Sequence, residues 1–184
     1  LLMKFKETTE LLNKFAKDVI ELAKSNMSTR GYKGKSMSAS GNLKRSLKFN
    51  LDVSKQQSFT LKFLMNEYGF YQDAGIDGKD NKRGVRKHGL PTYSYKSKMP
   101  PTKSLDKWVI RRNLKGSRDA SGRFVKRQSI TFAIARKLFK QYIKPTFFFS
   151  DAFAQEFKKL PKKFIDKYAL DANNFLKFTI DGNN

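Results

Sequence analysis

The chain has 184 residues, with 39 Lys and Arg against 16 Asp and Glu, and a formal net charge of +23. It holds no Cys and a single His, which removes disulfides, Cys-ligated zinc, iron–sulfur clusters and thiol nucleophiles and makes His-rich metal sites improbable. A chain of this length buries a core without covalent staples, and 17 Phe in a 39% hydrophobic composition argue against wholesale disorder, so one domain over residues 1–184 is expected.

No run approaches the roughly 18–20 apolar residues that span a membrane. The stretch Leu1-Leu2-Met3-Lys4-Phe5 has no signal-peptide apolar core, so secretion by that route is not expected. A charge of this size must be neutralised by nucleic acid, an acidic protein surface or an anionic membrane. The cations are spread along the whole chain rather than gathered on one helical face, which sets the membrane aside.

From Phe5 to about Met27, the apolar residues Phe5, Leu12, Phe15, Ala16, Val19, Leu22 and Ala23 recur at helical spacing, with charges between them. Ser28 to Ser40 reads as a linker. The period then changes to two. Leu47, Phe49, Leu51 and Val53 alternate with polar residues, and so do Phe59, Leu61, Phe63 and Met65 after a polar break. Two such runs predict an antiparallel hairpin over 47–53 and 59–65, with the first helix on its apolar face. Leu43 extends the parity of the first strand, but Arg45 interrupts it and leaves the start of the strand open.

Residues 75–104 read as a long basic loop, rich in Gly and Pro, and loops of that length are functional or disordered. Lys79, Lys82, Arg83, Arg86, Lys87, Lys96, Lys98 and Lys103 stand there against only Asp77 and Asp80. Tyr93 and Tyr95 alternate with small polar residues and have the character of interface anchors. Pro100-Pro101-Thr102 sets up a helix carrying Leu105, Trp108, Val109 and Arg112 on one face. Gly116 to Gly122 reads as a second loop. Ser129 to Ile143 is a helix by period, with Ile130, Ala133, Ile134, Leu138 and Tyr142 as its stripe. Thr146 to Phe149 reads as extended, and Ser150 or Asp151 as the cap of a helix carrying Phe153, Phe157 and Leu160. Pro161 breaks that helix and opens another with Phe164, Ile165, Tyr168 and Ala169. The tail from Asp171 adds a turn or two through Phe175 and Phe178.

Catalytic arrangements find little support. A Ser/His/Asp triad would need His88, which lies in the cationic Arg86-Lys87-His88-Gly89 and reads as a solvated loop residue. Asp151, Glu156 and Lys158 loosely match a nuclease set, but they fall on a predicted helix with the two carboxylates five residues apart and on different faces. Neither a Walker-type phosphate loop nor a dinucleotide fingerprint is present. The expectation is a protein that is not an enzyme, with no catalytic residue, metal or cofactor. Most Phe fall on core-periodic positions rather than on base-stacking ones.

Three segments resemble one family. They are Ser40-Gly41-Asn42-Leu43-Lys44-Arg45-Ser46-Leu47, Glu67-Tyr68-Gly69-Phe70-Tyr71-Gln72-Asp73-Ala74-Gly75, and Lys144-Pro145-Thr146-Phe147-Phe148-Phe149-Ser150-Asp151-Ala152-Phe153. Their order, around a hairpin and after an N-terminal helix, resembles the neck or tail-completion proteins of tailed bacteriophages, and looks most like those of crAss-like and related Bacteroidetes phages. Gly41, Leu43, Ser46, Tyr68, Gly69, Gly75, Pro145 and Phe148 carry the motif positions. Ser40 stands where that family has Thr, and Phe149-Ser150-Asp151 lacks its second Pro. The resemblance implies a non-enzymatic virion protein, made in the bacterial host cytoplasm. It would form a twelve-fold or six-fold homo-oligomeric ring between portal and tail, with double-stranded DNA in its lumen. The alternative is a monomeric basic nucleic-acid-binding protein. Either way the fold expected is α+β: a small antiparallel sheet packed by an N-terminal helix and C-terminal helices, with long basic loops. Within it, the 75–104 arm reaches a neighbouring subunit, an acidic portal surface or DNA.

Overall fold

The computed structural model describes residues 5–31, 36–37, 40–54, 58–82, 84, 86–114, 118 and 120–181, with side chains to residue 174. The chain forms α1 (Lys6–Thr29), α2 (Asn42–Ser46), β1 (Lys48–Val53), β2 (Phe59–Leu64), α3 (Tyr68–Ala74), β3 (Ile76–Asp77), β4 (Tyr93–Ser94), α4 (Thr102–Arg111), α5 (Arg127–Lys140), β5 (Tyr142–Ile143), α6 (Ser150–Phe157) and α7 (Leu160–Asp181). The fold is α+β, with helices from both ends of the chain packed on a small sheet.

α1 buries Leu12, Phe15, Ala16, Val19, Ile20, Ala23 and Met27, the stripe its three-and-four spacing dictates. That stripe meets α6, α7 and the hairpin. β1 and β2 pair antiparallel with Phe49 opposite Phe63 and Leu51 opposite Leu61, so the alternating apolar residues share one face. Phe59 and Phe63 lie on that face of β2 and each organises helices. Phe63 stands 6.4 Å from Phe15, 5.3 Å from Phe149 and 6.0 Å from Phe153. Phe59 stands 5.2 Å from Phe5 and 6.0 Å from Phe164. Edge-on pairs of this kind each add about 0.5–1.5 kcal/mol beyond their burial. Ile20, Ala23, Met27, Leu43, Leu47, Phe148 and Ala152 close the centre of the core.

Several expectations are corrected. Leu43 does not extend β1: it is buried on α2, which Gly41 opens in a left-handed conformation at φ 74°. Residues 75–104, read as one long loop, contain β3 and β4 and run into α4 at Thr102. Ile76 pairs in parallel with Tyr93 and antiparallel with Ile143, giving a second, three-stranded sheet of order β4-β3-β5. Two-residue strands leave no periodicity to read. The helix expected to reach Ile143 stops at Lys140, because Tyr142 and Ile143 join that sheet, and Tyr142 is exposed instead of sitting in an apolar stripe. Thr146 to Phe149 is not an extended run: Phe147 stands at φ 49° and Phe148 and Phe149 form a turn. α7 runs unbroken from Leu160 through Asp171, with Pro161 in its first turn where the missing N–H costs no hydrogen bond. The side chains of Phe175 and Phe178 lie outside the described ones, as do residues 116, 117 and 119 of the Gly116–Gly122 loop.

The second sheet closes against glycines. A Cβ on Gly78 would overlap the Gln141 carbonyl, a backbone group that cannot swing away, whereas Gly84 has open space. Gly78→Ala should therefore lower stability to denaturant by about 1–3 kcal/mol, the scale of forced overpacking. Gly84→Ala should stay within about 0.5 kcal/mol of the parent.

Candidate interaction surface

The basic segment between β3 and α4 is tied down along its length. Tyr93 packs edge-on against Tyr71 at 4.6 Å between ring centroids. The Tyr95 N–H donates to the Asp77 carbonyl at 3.0 Å, and its ring lies 6.0 Å from Phe139. Burial raises the pKa of the Tyr95 phenol. Both tyrosines are half-buried against their own chain, so the apolar anchoring they supply is intramolecular. Lys79 donates its backbone N–H to Phe139 O at 2.8 Å, and its ammonium sits 5.9 Å from the Phe139 ring centroid. Arg86 pairs with Asp77 at 3.3 Å, and the Lys87 ammonium lies 5.4 Å from the Phe147 ring centroid. Lys82, Lys96 and Lys98 are exposed, and Arg83 lies outside the described residues.

His88 is more than a solvated loop residue. Held at φ 58°, it places Nε2 2.7 Å from Asp151 Oδ1, while Arg30 donates to Asp151 Oδ2 at 2.5 Å. Burial pushes the Asp151 carboxyl up. The hydrogen bonds from His88 and Arg30, with the charges of Arg30 and Lys87, outweigh it and hold the pKa below the usual carboxylate value. Arg30 also donates to the carbonyls of Thr146 and Phe147 at 3.1 and 3.0 Å. The basic segment, the end of α1 and the start of α6 are thus fastened at one point.

The three motif segments meet at the same place. Leu43 and Phe148 share the central core. The Ser46 hydroxyl donates to Leu43 O at 2.9 Å and accepts the Asn66 N–H at 3.0 Å, joining α2 to the end of β2. A Cβ on Gly69 would lie 2.7 Å from Met65 Sδ and 2.8 Å from Leu43 Cδ1. Gly75, at φ 76°, would set a Cβ 2.7 Å from Ile143 O and 2.8 Å from the nitrogen of buried Pro145. Tyr68 is exposed. The Gln72 and Asp73 carbonyls accept the N–H groups of Thr146 and Phe147, each at 3.1 Å.

The decisive group is Asp73, which the sequence reading passed over. Its carboxylate accepts the N–H groups of Phe149 and Ser150 at 2.8 and 3.3 Å and the Ser150 hydroxyl. α6 is therefore capped from α3, not by Ser150 or Asp151. Burial raises the Asp73 pKa against the opposing pull of these hydrogen bonds. No local signal marks such a cap, since a Ser–Asp pair at the helix start already looks sufficient.

Asp151 is thus committed to Arg30 and His88, while Glu156 pairs with Lys159 at 2.9 Å and Lys158 is exposed, so the loose nuclease-like set is not brought together. Among the described residues no group of three His, Asp or Glu is placed to hold a metal ion. No protein-family model, curated protein or solved structure matches this chain.

Asp73→Ala leaves two N–H groups at the α6 start without their acceptor and should cost about 1–3 kcal/mol. Asp73→Asn keeps a carbonyl for those donors and removes the buried charge, so urea titration should show a clearly smaller loss. A loss equal to that of the Ala variant would refute the capping role. The two carboxylates titrate with opposite sign. Asp151, lowered, contributes stability above its unfolded value that is lost as pH falls through the folded value below 3.8. Asp73, raised, contributes below 3.8 and loses that contribution as pH rises through its folded value. Asp151→Asn should therefore cost about 1–3 kcal/mol at neutral pH, and its gap from the parent should narrow as acid protonates the parent's Asp151.

Proposed function

We propose that this protein is a non-enzymatic structural subunit of a tailed-phage virion. In this reading it forms a ring in the head–tail connector that surrounds the DNA channel and contacts portal and tail neighbours. It is made in the host cytoplasm and resides in the virion neck. The observation that supports the reading is the convergence of residues 40–47, 67–75 and 144–153, the three segments that resemble the neck and tail-completion family. Residues 67–75 and 144–153 are hydrogen-bonded through Asp73, and Leu43 and Leu47 of the first segment share the central core with Phe148. Segments scattered over more than a hundred residues act here as a single structural device, which is what a family-defining motif set requires. No helix among the described residues is long and apolar enough to cross a membrane. A monomeric nucleic-acid-binding protein is the second reading, favoured by exposed cations such as Lys103, Lys107 and Arg111 that have no carboxylate partner among the described residues.

Native mass spectrometry, on the protein alone and with co-expressed virion neighbours, separates the two. A ring subunit gives a closed oligomer, twelve-fold or six-fold, or enters a complex with a portal-type protein. A protein that stays monomeric at every concentration and with every neighbour, while binding nucleic acid tightly, overturns the connector reading.

A further inference from the structure

Residues 102–140 carry twelve basic residues, at positions 103, 107, 111, 112, 115, 118, 123, 126, 127, 136, 137 and 140, against two acidic ones, at 106 and 119. The excess, 12 − 2 = 10, is a large share of the whole chain's +23. Seven of the twelve cations lie on α4 and α5, which pack chiefly on each other, and the other five lie between the two helices in the chain. Val109 faces inward on α4, and Thr131 and Ala135 on α5. Lys103, Lys107 and Arg111 recur every four residues on the opposite, exposed side of α4. That places one cation about every 6 Å along a nearly straight row. On α5 the exposed side carries Arg136, Lys137 and Lys140, which with Phe132, Ala133 and Gln141 line a shallow open depression.

Carboxylates do not neutralise this surface. Asp106 is taken by Arg127 at 2.7 Å, and Asp80 reaches Lys140 only at 3.7 Å. Lys103, Lys107, Arg111, Lys126, Arg136 and Lys137 have no acidic partner among the described residues. The solvent side of α1 is the contrast. There Glu10, Asp18 and Glu21 are interleaved with Lys14 and Lys17, and the field cancels. The segment before α4 is also less available, with Arg86 spent on Asp77 and Lys87 on Phe147.

We infer that the α4–α5 pair is the surface through which this protein grips the phosphate backbone of double-stranded nucleic acid. A regular row of cations matches a regular row of phosphates, and each contact releases condensed counterions. An acidic protein fits less well. Protein interfaces are depleted of Lys at their cores and organise around a pocketed anchor. Here four of the six unpartnered cations are Lys, and the depression is shallow and open. The choice of a duplex rests on the DNA-channel reading; the assignment of the surface does not need a ring.

The test uses the full chain and a fluorescent mixed-sequence duplex of about 30 base pairs, followed by anisotropy across about 50–200 mM salt. Lys103→Ala/Lys107→Ala/Arg111→Ala should lower affinity at least tenfold and reduce the log–log salt slope by about 2–3, close to 0.9 per lost phosphate contact. The charge-keeping Lys103→Arg/Lys107→Arg/Arg111→Lys should bind like the parent. A control triple on α1, Lys6→Ala/Lys14→Ala/Lys17→Ala, removes the same charge and should change affinity less than threefold. Equal losses in the α4 and control triples would overturn the assignment. So would unchanged duplex binding accompanied by lost binding to polyglutamate, which would make the partner an acidic protein. Native mass of the same variants keeps the two proposals apart. Duplex binding through α4–α5 by a protein that never oligomerises supports this surface and overturns the ring. Intact oligomers with indifferent α4 variants do the reverse.

Discussion

The carboxylate of Asp73 holds this fold in register. It sits at the end of α3 and completes the start of α6, where the first N–H groups of a helix have no partner inside the helix. The positive end of the helix dipole adds to the attraction. Because the group is buried, replacing it cannot be forgiven by water. Phe147 and Phe148 are fixed by this cap, and through Phe148 the central core is fixed as well. Arg30 and Asn26 fasten the same turn from α1, Asn26 by donating to Phe148 O at 2.9 Å.

The same device appears at the other end of the molecule. Asp171, buried on α7, accepts the N–H groups of Glu7 and Thr8 at 3.1 and 2.9 Å and the Thr8 hydroxyl at 2.7 Å. Phe5, in the cap position of α1, offers no side-chain acceptor of its own. Lys167 supports the junction by pairing with Glu7 at 2.8 Å. Two helices therefore begin where a distant acid lets them begin. Each acid welds its own helix to the one it caps.

What was legible in the sequence follows from this. α1, the hairpin and its register announce themselves because each covers a face with one apolar period, and Phe49 opposite Phe63 is the direct outcome. The starts of α4 at Pro101-Thr102 and of α7 at Pro161 were legible for the same local reason: proline fixes the backbone there. The cap acids were hidden because their partners are far along the chain. β3, β4 and β5 were hidden because two residues carry no period. The basic residues of 79–98 were visible as charges but not as contacts. Arg86 with Asp77, Lys87 on Phe147 and Tyr93 on Tyr71 are tertiary pairs that fasten this segment onto its own chain. The more open cationic surface lies one element later, on helices whose apolar stripes had drawn attention to their inner faces.

Capping from a distance also has a temporal side. The bond from Ser150 to Asp73 closes a separation of 77 residues, and that from Thr8 to Asp171 one of 163. Loop-closure entropy must be met before either contact returns anything, which slows chains rich in such contacts. On a ribosome adding roughly 5–20 residues per second, the first turn of α1 waits about 8–33 s for its acceptor to be synthesised. During that interval α1 presents an apolar stripe and an unfinished first turn together. The nascent chain then presents an amphipathic helix whose stripe the hairpin and α6 cover in part, and the arrival of α7 completes both the cover and the first turn.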